Sequence, residues 1–310
     1  MKVCFVGCGS IGKRHIKNLQ AICLNMEINL EIHLLRSGKK STMNSISYEE
    51  EGLNISKDLY SIEELDKKYD IIFITNPTFL HYDTLKALIN RSDSFFVEKP
   101  VFDNAELDYS FIDSSKIVYV ACPLRYTGCI RNIREYIELS DVFSVRAICS
   151  SYLPDWRPGI DYRKCYSAHK DEGGGVRIDL VHEWDYLTSF FGFPNKVNSF
   201  SAKLSKLEID SEDLAVYIAE YDNMAIELHL DYFGRVPRRE VELYTKDYVY
   251  KVDIINNFIS CNTDVIYEQK EDTNLKYIKE MEYFLELING SVENSNDVDN
   301  AIKVMKLAYS

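Results

Sequence analysis

The sequence predicts an α/β protein of two domains: a doubly wound parallel sheet, then an α+β domain whose open sheet is mostly antiparallel. Three observations carry that expectation. Apolar strand-like segments alternate with helical ones up to about residue 121. A glycine-rich turn, Gly7-Cys8-Gly9-Ser10-Ile11-Gly12, joins the first strand to the first helix. Beyond it the pattern changes to many strands of two-residue periodicity and few helices.

The elements follow in order. Residues 2–6 (KVCFV) read as an apolar strand, and the turn leads into a helix beginning near Ile11. Residues 30–35 form a second strand, a short helix with a serine cap covers Ser61 to Leu65, and residues 71–75 (IIFIT) are a buried parallel strand. Pro77 stops that strand, 78–90 has helical apolar spacing, and 94–97 is a strand ending at Glu98-Lys99-Pro100. A helix around 104–114 and a strand at 117–121 complete the first domain, and a boundary at Ala121–Cys122 divides the chain into 1–121 and 122–310. In the second domain a helix near 128–138 precedes strands at 142–152, 197–205, 214–221, 224–233, 238–246 and 248–254, interrupted by one helix at 176–191. Residues 273–289 and 297–309 return to helical periodicity, as helices that can pack back on the first domain.

Composition narrows the function classes. The chain has 310 residues, 46% hydrophobic and 27% charged, the profile of a globular protein with room for two cores. A formal charge of −13 offers no basic surplus for phosphate backbones, so nucleic acid is not an expected partner. No apolar run approaches the ~18 residues of a membrane span, and MKVCFVGCGS has no signal-peptide pattern, so the expected location is the cytoplasm. The eight cysteines are scattered with no CxxC pair, which points to buried thiols in a reducing compartment and to no metal.

Four motifs carry chemistry. In the glycine turn Gly7 permits the tight bend, Gly9 lets a pyrophosphate approach the backbone and Gly12 allows close helix–strand packing, with Ser10 and Ile11 opening the helix. This is a dinucleotide fingerprint in its proper strand–turn–helix context. At the end of the second strand, where NAD binders place an acid, stand Arg36 and Ser37 followed by Gly38-Lys39-Lys40. Either this is a solvated basic turn or it binds a 2′-phosphate, which favours NADPH over NAD as cofactor. Thr75-Asn76-Pro77 with His81, and Glu98-Lys99 before Pro100, lie just past strand carboxyl ends, where ligands bind in such sheets. A lysine there can donate to a substrate oxygen; elsewhere a lone lysine is a surface charge. Finally Gly173-Gly174-Gly175 open a helix on which Asp179, His182 and Glu183 fall at i, i+3 and i+4 on one face. A neutral His182 could take a hydroxyl proton with a carboxylate in support, or the three could form a surface ion pair.

The order GCGSIG, TNPTFLH, EKP, GGGVRIDLVHEWD resembles the Gfo/Idh/MocA family (glucose–fructose oxidoreductase, inositol dehydrogenase, MocA), and the likeness extends over the strand-rich second half. The resemblance implies an N-terminal Rossmann domain and a C-terminal domain whose open sheet supports homodimers or homotetramers. It implies that Lys99 is the catalytic lysine, His182 the proton-transfer histidine and Asp179 its acid, acting on a hydroxyl or keto carbon of a sugar. Family members commonly have three residues between that acid and the histidine. Here only Leu180 and Val181 intervene, which leaves open whether Asp179 or Glu183 supports His182.

Residues 152–163 (YLPDWRPGIDYR) leave a predicted strand and precede the glycine run. Trp156 and Tyr162 could stack on a sugar ring and Arg157 or Arg163 could hold a carboxylate or phosphate; otherwise the segment is an ordinary packed loop. The segment looks like family members associated with nonulosonic-acid and amino-sugar biosynthesis, which implies an activated, amino or acidic sugar. Arg125, just past the last strand of the first domain, is a further candidate substrate contact. Two other functions stay open: a redox-neutral epimerase or eliminase using bound NAD, and a non-catalytic cofactor-sensing regulator on the same fold.

Overall fold

A computed structural model describes residues 1–37 and 48–310. The chain divides into two compact units, Met1–Ala121 with Tyr277–Ile302, and Cys122–Lys276 with Lys303–Ser310.

The first unit is built on six parallel strands: β1 (Lys2–Val6), β2 (Glu31–Leu35), β3 (Lys57–Leu59), β4 (Ile71–Ile74), β5 (Ser94–Val97) and β6 (Ile117–Val120), in the order β3-β2-β1-β4-β5-β6. The unbroken apolar run of β4 is buried at every position, as a strand covered on both faces requires. Its first helices are α1 (Ser10–Asn25) and α2 (His81–Leu88). Phe5 stacks on Phe73 at 4.3 Å between centroids, and Phe284 meets Phe96 edge-on at 5.3 Å. The strand order reverses between β1 and β4, so the loops at Gly7 and Thr75 open side by side.

Two features depart from expectation. The three-residue β3 carries one buried side chain, too little periodicity to register in the sequence. No helix forms over 104–114. There the side chains of Asn104, Asp108 and Asp113 accept from the backbone N–H two residues on, at Glu106, Ser110 and Ser115, and these local bonds compete with helix formation.

The second unit holds an eight-stranded sheet. Its first short helices, α3 (Gly128–Arg131) and α4 (Ile133–Tyr136), replace the single helix expected at 128–138. Then come β7 (Ser144–Tyr152), α5 (Val176–Asp179), α6 (His182–Phe191), β8 (Lys196–Ala202), β9 (Leu214–Glu220), β10 (Ala225–Asp231), β11 (Phe233–Tyr244), β12 (Val249–Asp253), β13 (Phe258–Cys261) and β14 (Asp264–Glu268). The order is β14-β13-β12-β11-β7-β10-β9-β8, with only β7–β10 parallel. β13 and β14 were not expected; β14 is mostly exposed and carries no apolar alternation. Helices α7 (Leu275–Ile288) and α8 (Val298–Tyr309) close the chain.

Candidate active site

The glycine turn is shaped by backbone proximity. Gly7 sits at φ 95° and donates to Leu35 O (2.9 Å), and a Cβ there would lie 2.7 Å from the Asn76 nitrogen. A Cβ on Gly12 would meet Thr75 Oγ1 at 2.8 Å, and that hydroxyl contacts the Val6 and Gly7 carbonyls at 3.1 Å. A Cβ on Gly9 would meet nothing within 4 Å. The first turn of α1, with Ser10 and Ile11, has no side-chain cap, so its N–H groups face that open space. Asn76 donates to Thr84 Oγ1 (2.9 Å), while its buried Oδ1 has no partner. An uncapped helix start, an open glycine and an orphaned amide oxygen fit a bound dinucleotide.

Behind these loops lies a set of braces. Glu98 follows β5 and is 9% exposed; its Oε1 lies 2.6 Å from His15 Nε2 on α1, and its Oε2 accepts from the Lys99 N–H at 3.1 Å. Burial pushes the Glu98 carboxyl up, but the His15 hydrogen bond and the His15 and Lys99 charges outweigh it and hold it below its ordinary value. Glu98 is therefore turned toward α1, fixing the Lys99 backbone. His81 is a second such brace. It is 1% exposed, with Nε2 2.9 Å from the Asn76 carbonyl and Nδ1 3.0 Å from that of Pro100. Burial lowers its pKa, and its two ring nitrogens lie against carbonyls of the loop after β4 and the loop after β5. Lys99 precedes a cis proline, is half-buried and is left with its side chain at the sheet's carboxyl edge. His15 was not singled out in the sequence; its only signal is its place one turn past Gly12 on the loop-facing helix.

Arg36 does not present the expected free guanidinium. Its Nε and a terminal nitrogen grip Asp58 at 2.9 and 2.7 Å, and the same terminal nitrogen donates to Tyr60 Oη (2.8 Å). Asp58 lies on β3, which pairs with β2, so a strand missing from the sequence reading supplies the partner. Ser37 is exposed, and Lys39 and Lys40 lie outside the described residues.

In the second unit the glycine run is required by contacts. Gly175 has φ 128°, and a Cβ there would lie 2.4 Å from the Glu212 carboxylate. The expected single helix is broken: Leu180 takes φ −98°, ψ 23°, and the bonds from Val181 to Ile178 and from Glu183 to Leu180 close three-residue turns. Asp179 and Glu183 are held by different partners. Asp179 Oδ2 accepts from Tyr232 Oη at 2.6 Å. Tyr166, whose phenol burial and Asp179 push well above its ordinary range, bonds the same carboxylate, and Arg157 lies 5.5 Å over the Tyr166 ring. Glu183 instead is fully buried and paired with Arg239 at 2.9 Å.

The arginines sort by partner. Arg125 is held bidentately by Asp185, one helical turn beyond His182, at 2.9 and 2.7 Å. It thus braces α6. Arg163 is exposed and paired with Asp161 and Glu208. Trp156 donates to Ser151 Oγ (2.9 Å) and meets Tyr232 edge-on at 5.2 Å, so it packs behind Tyr232. Tyr162 Oη accepts from the Glu208 N–H at 3.1 Å, which pins its loop.

The first unit's sheet and loops are those of a dinucleotide-binding fold. Residues 1–109 match the family model GFO_IDH_MocA, described as an oxidoreductase family with an NAD-binding Rossmann fold, and the first three motifs of the resemblance, GCGSIG, TNPTFLH and EKP, lie within that match. The chain is 25% identical to YrbE, an uncharacterized oxidoreductase of Bacillus subtilis, over 71% of its length and 64% of that relative's. Among solved structures it is similar to UDP-N-acetylglucosamine 3-dehydrogenase GnnA from Acidithiobacillus ferrooxidans (18% identity, 100% and 95% of the two chains, TM-score 0.76). It is also similar to myo-inositol 2-dehydrogenase from Lactobacillus plantarum (16%, 100% and 95%, TM-score 0.74). At these identities the likeness concerns the fold.

Proposed function

We propose that this chain is a nicotinamide-dependent oxidoreductase acting on a hydroxyl or keto carbon of a sugar or sugar derivative. The observation that carries this reading is the His15–Glu98–Lys99 arrangement: a lysine whose backbone is fixed by a buried carboxylate, at the edge of a sheet whose glycine loop fits a dinucleotide. The nicotinamide, when bound, exchanges hydride at C4. Lys99 donates a hydrogen bond to the substrate oxygen and favours its alkoxide character. His182 takes up or returns the hydroxyl proton. Asp179, held by Tyr232 and Tyr166, is the acid that positions this end of the substrate, with Arg157 beside it for an anionic group.

The sugar class draws support from the sugar-nucleotide and inositol dehydrogenases that share the fold. Arg157 favours an acidic or activated sugar. Phe200 and Ile218, exposed on the outer face of β8 and β9, support self-association through the open sheet as a homodimer or homotetramer. The test is a screen at 340 nm of sugar nucleotides, amino sugars and sugar acids with both cofactors. Absence of turnover and of dinucleotide binding across that set would remove the proposal.

A further inference from the structure

We propose that Asp58 makes this chain select NAD(H) and reject the 2′-phosphate of NADP(H). The inference rests on the dinucleotide-dependent reading above and departs from the NADPH that Arg36 suggests in the sequence.

Arg36 is the first residue past β2, the place from which the ribose 2′ position is read in this kind of sheet. An acid reaches that place from the neighbouring strand. Asp58 takes both arms of the guanidinium, and its Oδ2 also accepts from Tyr48 (3.1 Å) and Tyr60 (2.8 Å). The Tyr48 and Tyr60 rings stand 5.5 and 5.2 Å from the guanidinium carbon. The group stands beside the glycine loop: the Gly7 N–H donates to the carbonyl of Leu35, the residue before Arg36, at 2.9 Å. Lys13 is paired with Glu51 at 2.6 Å. Both of these cations beside the loop therefore already have a carboxylate.

A 2′-phosphate would have to draw Arg36 from Asp58. That would leave a carboxylate, anchored by two tyrosine hydroxyls, against a second anion. A ribose 2′-hydroxyl meets no such conflict. Among the described residues Asp58 Oδ1 accepts one hydrogen bond, from Arg36 Nε, and a carboxylate oxygen can accept a second.

The experiment is a fluorescence titration of the full chain with NADH and with NADPH, for wild type and Asp58→Asn. Wild type should bind NADH about tenfold tighter than NADPH or better. Asp58→Asn should narrow that ratio chiefly by tightening NADPH; Asp58→Ser serves if the amide variant fails a thermal-melt check of folding. Equal binding or a preference for NADPH in wild type overturns the assignment, as does a ratio that the Asp58 variants leave unchanged. Failure of wild type to bind either dinucleotide would instead overturn the underlying functional reading.

Discussion

The two units hold their functional side chains by different means. In the first, the motif residues are set largely by backbone: Gly7 against Asn76, Thr75 on the Val6 and Gly7 carbonyls, His81 on the carbonyls of Asn76 and Pro100. In the second, they are set by single side chains from remote elements: Asp179 by Tyr232, Glu183 by Arg239, Arg125 by Asp185. The first kind of site follows from the strand order, since every parallel strand must end at the same edge. The second depends on which side of a broken helix each residue emerges from.

If this contrast is right, the largest effects belong to the groups proposed to meet substrate. Lys99→Ala and His182→Ala should each lower turnover roughly 10²–10⁴-fold while leaving dinucleotide affinity close to wild type, measured at 340 nm and by titration. Dinucleotide affinity lost in His182→Ala would erase the division of labour. Next comes Glu183→Ala, which takes the carboxylate from the half-buried Arg239 and should cost about 3 kcal/mol in denaturant unfolding. Little loss would mean that the second unit is not organised by such pairs. Gly7→Ala should cost about 2–3 kcal/mol, from φ 95° and the contact with Asn76. Gly9→Ala should leave the melting temperature unchanged and weaken only dinucleotide binding.

A smaller effect concerns pH. Glu98 is held below its ordinary value of 4.5, despite burial, by His15 and Lys99. A carboxyl lowered in the folded state contributes stability that is present above 4.5 and lost as pH falls through the folded value. Acid melts should therefore fall more steeply for wild type than for Glu98→Gln; parallel curves would show that His15 does not hold the charge. The smallest effect is expected for Arg163→Ala, exposed in its pairs with Asp161 and Glu208: unchanged melting temperature and unchanged KM.

The sequence by itself determined the parallel sheet, the glycine loop and the position of Lys99 at its edge. Each rests on a local pattern: continuous apolar strands, glycines at fixed offsets, and a proline that ends a strand. It also placed most strands of the second unit through their alternation. Only the tertiary structure decided the roles of the charged residues. His15 and Glu98 meet across 83 positions, Arg36 and Asp58 across 22, Arg125 and Asp185 across 60. A guanidinium or carboxylate takes its function from the partner that desolvates and fixes it, and that partner is chosen by packing, not by spacing. The helix at 176–191 shows the same limit: its period reads as one face, while a tightened turn at Leu180 sends Asp179 to Tyr232 and Glu183 into the core.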